Sequence, residues 1–208
     1  MANNESSNKS AQALISEVEK VVIGKHNEIV LLVTAMLAGG HVLIEDVMAS
    51  DITGFNVYNR QKEQFEFREG LVMTNVLLAD EINRASPKTQ SALLEAMEEA
   101  KVTVDGVTYK VPDPFMVIAT QNPTGYVGTY PLPEAQLDRF AVRLSMGYPT
   151  EEEEVNIISN RKTVNPLEKV NAVTNVDMIR EIRAATKEVA LEDEICHNIV
   201  KLIHATRK

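Results

Sequence analysis

The stretch Asn75–Glu99, "NVLLADEINRASPKTQSALLEAMEE", reads as a strand, a turn and a helix. "NVLL" is a short apolar run that closes on two carboxylates, Asp80 and Glu81, as a buried strand does where it reaches the edge of its sheet. Ser86 is a good N-cap, and Pro87 falls at the first helical position, where its missing N–H costs nothing. Leu93, Leu94 and Met97 recur at helical spacing and mark the core face of that helix.

The same grammar repeats on either side. "HVLIEDV" (His41–Val47) is a second buried strand, preceded by a helix over about Asn27–Ala38 that Gly39 and Gly40 end in a left-handed cap. "PFMVIATQN" (Pro114–Asn122) is a third, ending on polar Gln121 and Asn122. Between the last two strands, "KVTVDGVTYKV" places Asp105-Gly106 between alternating residues, a strong hairpin signal. Leu14, Ile15, Val18 and Val22 predict an amphipathic helix over Ser10–Val22, whereas "QFEFREGLVMTN" shows strand alternation only in "FEF". After Pro149, Thr150 caps a helix whose first turn is Glu151–Glu154, at the positive end of the helix dipole. Two further helices are expected over Asp177–Ala190 and Asp193–Lys208. Strands alternating with helices predict an α/β layered domain over about Gly24–Pro149, followed by a helical segment. Polar residues at the strands' C-terminal ends place a site along one edge of the sheet, where open α/β folds bind ligands.

Composition narrows the function. The chain has 208 residues, 44% of them hydrophobic, and a formal net charge of -9. That charge repels phosphate backbones and anionic membranes, so nucleic acid is an unlikely partner. Lys101 and Lys110 could still form a basic hairpin. Cys196 is the only cysteine, which rules out a disulfide framework and fits a reducing compartment, hence a cytoplasmic protein. Its place between Ile195 and His197 suggests helix packing. The polar start "MANNESSNKS" does not read as a signal peptide, and residues 1–9 are expected to be a disordered tail. "IVLLVTAMLAGGHVLI" is broken by Thr34, a glycine pair and His41, so no membrane span is expected.

Phosphoryl transfer needs a metal-holding carboxylate, a residue that orients water, a polar sensor of the γ-phosphate and a cation for the transition state. Asp80 can hold Mg²⁺ at a sheet edge, Glu81 can orient a water, and the Asn122 amide can sense phosphate. Arg139 in "LDRF" and Arg84 in "EINRA" are the candidate cations. Each residue alone also has a plainer reading: a strand ending in acids at the solvent boundary, an Asn-Pro turn, a surface ion pair.

Order and spacing together say more. "NVLLADEINRASPKTQSALLEAMEE", "VTVDGVTYKVPDPFMVIATQNP", "GTYPLPEAQLDRF" and "GYPTEEEE" closely resemble the MoxR family of AAA+ ATPases over roughly Val21–Glu154. The resemblance implies a P-loop NTPase sandwich, a parallel sheet flanked by helices, over residues 10–150, with a linker and partial helical lid over 151–208. It makes "LLADE" the Walker B motif, with Asp80 on magnesium and Glu81 the catalytic glutamate. It makes Asn122 sensor 1 and Arg139 an arginine finger reaching a neighbouring subunit's nucleotide. "VVIGK" resembles the segment beside the adenine, so Val22, Ile23 and Gly24 are candidate base contacts. ATP and Mg²⁺ are the implied cofactors. The implied partners are a homo-oligomeric ring, a hexamer by family, and a von Willebrand factor A domain protein, and the implied work is ATP-driven remodelling or maturation of a partner.

Two departures stand against that pattern. After "HVLIEDV" the family shows a G-x-x-x-x-G-K-[ST] loop, its helix and another strand before "SDITG" resumes; here Val47 is followed by Met48-Ala49 and then at once by "SDITG". About 30 residues of a βα unit plus strand are missing, and no G-x-x-x-x-G-K-[ST] occurs anywhere in the sequence. Lys25, followed by His26, is no substitute for the loop lysine. The chain also ends at "IHATRK" without a clear sensor 2 arginine. The sequence therefore allows two outcomes: an active ATPase lineage, or a nucleotide-incompetent remnant that keeps subunit or partner surfaces.

Overall fold

The computed structural model describes residues 2–45, 55–59, 64–68, 70–104, 106–121, 130–160 and 166–207. The junction Val47–Ser50, Asp105 and Asn122 lie outside them. In chain order the elements are α1 (Ala2–Glu19), α2 (His26–Ala38), β1 (Val42–Glu45), β2 (Phe55–Asn59), β3 (Gln64–Arg68), β4 (Val76–Ala79), α3 (Pro87–Glu99), β5 (Lys101–Val104), β6 (Val107–Lys110), β7 (Met116–Gln121), α4 (Glu134–Leu137), β8 (Val142–Ser145), α5 (Glu151–Asn160), α6 (Val176–Lys187) and α7 (Asp193–Thr206).

Four strands form one parallel sheet in the order β4-β7-β1-β8. The expected α/β sandwich is thus present, with helices on both faces of the sheet. On one face, Leu43, Leu77, Ala79, Val117 and Ala119 pack against Leu93, Leu94 and Met97 of α3, the residues that the helical spacing selects. On the other, Val42, Met116 and Leu144 pack beneath Ala35 of α2. Ser86 caps α3 by accepting the Thr89 N–H at 3.2 Å, with Pro87 in the first turn. Gly39 ends α2 at φ +79°, the left-handed conformation the glycine pair predicts. The hairpin appears as antiparallel β5 and β6, with Gly106 at φ +80°. The pair β2–β3 is a separate hairpin, of which the sequence pattern signals only the second strand.

The N-terminal expectation fails. α1 starts at Ala2, so the polar stretch read as a disordered tail forms the first turns of a helix that ends at Glu19 rather than Val22. Its later turns are anchored: Leu14, Ile15 and Val18 join Ile29, Val33 and Leu37 of α2 and Ile179 and Ile182 of α6 in one cluster. Once those turns are docked, polar residues ahead of them add helical hydrogen bonds without a new nucleation cost. α6 is therefore packed against the core helices, with Asn175 capping it through the Met178 N–H at 2.9 Å. α7 buries none of its residues, and Cys196 is exposed on it rather than packed as the sequence suggests. Among the described residues, no helix is long and apolar enough to cross a membrane.

His41 joins the layers at the start of β1. It is 8% exposed. Its Nδ1 accepts the Val117 N–H at 3.0 Å, and its Nε2 lies 3.1 Å from the Met97 carbonyl, which requires the proton on Nε2. Burial holds its pKa below the ordinary histidine value, opposed by the Met97 carbonyl. The folded state thus keeps the ring neutral where the unfolded chain protonates. The stability this contributes is present above the unfolded pKa of about 6.5 and is lost as pH falls towards the lower folded value. Urea unfolding from pH 7 to pH 5 should show a falling midpoint. His41→Leu should lower stability at pH 7 by about 1–3 kcal/mol through its two abandoned backbone groups, and should flatten the pH dependence.

Candidate nucleotide site

The β4–β7 pairing builds the acidic corner. Its register sets Ala79 opposite Ala119, which brings Thr120 beside the end of β4. The Thr120 hydroxyl donates to Asp80 Oδ1 at 2.7 Å and accepts the Glu81 N–H at 2.8 Å. One side chain thus fixes both acids. Glu81 is 2% exposed and stands at φ +43°, a left-handed conformation uncommon for a residue with a side chain. Its Oε2 lies 2.6 Å from Arg84 Nε, so one candidate cation is committed to the candidate catalytic acid. A buried carboxylate needs such a partner, because uncompensated burial of the charge costs several kcal/mol.

The neighbouring strand end is also acidic. Glu45, last in β1, accepts a hydrogen bond from Gln121 Nε2 at 3.0 Å and pairs with Arg143 from β8. Arg139 follows α4 and pairs with Glu98 of α3, so it too is held within the chain. Val22, Ile23 and Gly24 lie in the turn between α1 and α2. Gly24 is at φ +75°, and a Cβ built there would lie 2.0 Å from a Glu153 carboxylate oxygen. Glu153 itself closes the first turn of α5: its carboxylate accepts the Thr150 N–H at 2.7 Å, and its own N–H lies 3.4 Å from the Thr150 hydroxyl. Those Thr150 contacts, with Lys25 nearby, hold the Glu153 pKa below the usual carboxylate range. The run Glu151–Glu154 therefore does more than favour the helix dipole: its third member seats α5 on the candidate base-contact turn.

The sequence points to Asp80, Glu81 and Arg84, and the structure brings them together. Arg139 sits against Glu98 of α3, and Val22, Ile23 and Gly24 sit in the turn between α1 and α2. The sequence does not single out Thr120. Its signal was there: a hydroxyl at the C-terminal end of one parallel strand, in register with the acids of the next.

Comparison with known proteins identifies the lineage. The family model described as "ATPase family associated with various cellular activities (AAA)" matches residues 24–142. The chain is 42% identical to YeaC of Bacillus subtilis, covering 93% of this chain and 70% of that protein. It is 36% identical to the chaperone MoxR1 of Mycobacterium tuberculosis, covering 93% and 59%. This chain belongs to the MoxR family of AAA+ ATPases. A crystal structure of a candidate ATPase from Cytophaga hutchinsonii superposes with a TM-score of 0.86 at 34% identity, covering 99% of this chain and 71% of that one. An MCM homologue from Methanopyrus kandleri, at 19% identity and TM-score 0.53, shares the fold.

The alignments also carry a length difference. The YeaC and MoxR1 matches run over 223 and 227 residues, more than the 208 of the whole chain, although only 93% of it takes part. Since 93% of 208 is about 193, about 30 positions of YeaC face a gap in this chain. That is the size of the βα unit and strand expected after Val47.

Among the described residues, the side chains at this edge do not complete a site for Mg²⁺-ATP. Among the described residues no three His, Cys, Asp or Glu side chains gather to hold a metal. Asp80 offers a carboxylate, but the sequence has no loop lysine followed by a magnesium-binding hydroxyl. Glu45, Asp80 and Glu81 leave the edge rich in carboxylates where phosphates would need N–H donors and a cation.

Three substitutions test this geometry. Gly24→Ala should lower the melting temperature, and adding Glu153→Ala should recover the part due to overlap but not the part due to positive φ. Thr120→Val should cost about 1–3 kcal/mol, because it strands the buried Glu81 N–H. Thermal unfolding of the Gly24 variants and denaturant titration of Thr120→Val measure these effects.

Proposed function

We propose that this chain is a MoxR-type AAA+ module that keeps the acidic corner and the subunit-facing arginine of an ATPase but does not hydrolyse ATP by itself. Its family is one of ATPases. The observation that carries the proposal is the direct passage from "HVLIEDV" to "SDITG" with no phosphate loop. The cradle of main-chain N–H groups, the lysine and the magnesium hydroxyl leave together, and no neighbouring side chain replaces a run of backbone donors.

In the complete family architecture, Asp80 would hold Mg²⁺, Glu81 would orient the attacking water, Asn122 would sense the γ-phosphate and Arg139 would reach across a ring. Hydrolysis in such a ring would drive remodelling or maturation of a client, with a von Willebrand factor A domain protein as the proposed partner. The chaperone name of MoxR1 supports that direction. This chain spans 59% of MoxR1 and 48% of the Methylorubrum extorquens protein MoxR, so the whole-protein activity remains part of the proposal. What this chain offers on its own is a surface: the α3–α4 side, where Arg139 would have to exchange its Glu98 partner to reach a neighbouring subunit, and a carboxylate-lined sheet edge with little affinity for nucleotide.

ATPase turnover of the wild type and of Glu81→Gln decides between the two readings. Equal, background rates are expected. A wild-type rate ten or more times that of Glu81→Gln would overturn the proposal and restore the enzyme reading. Trace contamination by another ATPase would raise both rates equally and so would not imitate that result.

A further inference from the structure

We propose that a cleft at the N-terminal ends of β4 and β7 binds a small apolar monocarboxylate, an acid of about six carbons, through the guanidinium of Arg183 and the hydroxyl of Thr174. The cleft has a volume of about 270 Å³, and Met36, Val76, Met116 and Ile179 are its apolar lining. It is separate from the acidic corner, which stands at the C-terminal ends of the same two strands, so the proposal does not depend on the nucleotide reading.

Two lining residues carry buried polar atoms without partners. Arg183 donates from Nε to the carbonyl of Met36, in the last turn of α2, at 2.9 Å. Its Nη2 is buried with no hydrogen-bond partner among the described residues, and the same holds for Thr174 Oγ1. Burial pulls the Arg183 pKa below the ordinary arginine value, opposed by the charge of Asp113. The Asp113 carboxylate is itself exposed and pairs with Arg180 at 3.6 Å. Arginine stays protonated at neutral pH all the same. The fold therefore holds a cation partly out of water, with no carboxylate in contact with it among the described residues.

A buried donor left unpaired is costly, and more so on a charged group, so an anion that completes the arrangement gains what the empty cleft lacks. With Nε taken, a ligand meets the guanidinium from its two terminal nitrogens, which present parallel N–H bonds to the two oxygens of a carboxylate. The Thr174 hydroxyl can donate to one of those oxygens. Because both polar atoms are shielded from bulk water, the ligand has to turn aside part of the lining to reach them. Met36, unbranched and with several rotatable bonds, is the lining residue suited to yield.

Charge, size and lining chemistry choose among anions. One guanidinium with the Asp113 charge nearby suits a single negative charge and disfavours a doubly charged phosphate. The volume falls below the range of about 300–1,000 Å³ typical of drug-sized ligand sites, which is too small for a nucleotide. Two methionines, a valine and an isoleucine line the cleft, so an aliphatic tail gains by leaving water there, whereas acetate has almost no tail to bury.

Titration of the full chain with 4-methylpentanoate, followed by amide chemical shifts, tests this. Saturable shifts are expected at Val76, Met116 and Ile179. Two comparison probes separate the contributions: 4-methylpentanamide keeps the tail without the charge, and acetate keeps the charge without the tail. Each should bind about tenfold more weakly or worse. Arg183→Met should lose about tenfold or more in affinity for 4-methylpentanoate. Thr174→Val should lose a smaller factor with an unchanged circular dichroism spectrum. Should Arg183→Met fail to fold, Thr174→Val and the amide probe decide. The absence of saturable shifts at the three residues, or shifts confined to the acidic corner, overturns the proposal. Equal affinity for acid and amide also overturns it, because the guanidinium would then play no part. Equal affinity for acetate does the same, because the apolar lining would then be idle.

Discussion

The parallel ladder between β4 and β7 is the constraint on which the rest of the molecule depends. Its register places Thr120 where one hydroxyl can hold both the Asp80 carboxylate and the Glu81 N–H. The same register turns Leu77 and Ala79 into the core beneath α3 and leaves Val76 and Leu78 on the opposite face. A shift of one residue would reverse both sets, taking the acids from their corner and the apolar residues from the core. The acidic corner and the open edge are therefore two results of one pairing.

That pairing survives without the segment its relatives carry, because the two cores it contributes to are built elsewhere. The α3 face is closed by Leu93, Leu94 and Met97, and the α2 face by Ala35 over Val42, Met116 and Leu144. His41 ties β1 to both β7 and α3 through two backbone contacts. Layered folds are stable when each face of the sheet buries its apolar stripe, and most of this sheet does. The exposed Val76 and Leu78 mark the portion that does not.

Much of this was legible in the sequence because it follows from local rules. Ser86-Pro87 fixed the start of α3, the Gly39-Gly40 pair fixed the end of α2, and short apolar runs ending in polar residues fixed the sheet edge. Non-local contacts were not legible in the same way. Nothing in "TQN" alone says that Thr120 will bridge Asp80 and Glu81, since that depends on strand order. Nothing in "TEEEE" distinguishes Glu153, which lies against Gly24, from its three solvated neighbours. The polar start of α1 misled for a related reason: its composition favours disorder, but its downstream turns are docked by Leu14, Ile15 and Val18. Cys196 misled in the opposite sense, because an apolar flank predicts packing only where another element covers the helix.

The central claim is that the chain has a Walker B corner without a phosphate cradle. Equilibrium titration with ATP and Mg²⁺ tests it, comparing this chain with a version in which a phosphate loop with its helix and strand, about 30 residues, is inserted between Val47 and Ser50. No saturable binding in the micromolar range is expected for the 208-residue chain, and micromolar binding once the segment is restored. Micromolar affinity in the chain as it stands would contradict it.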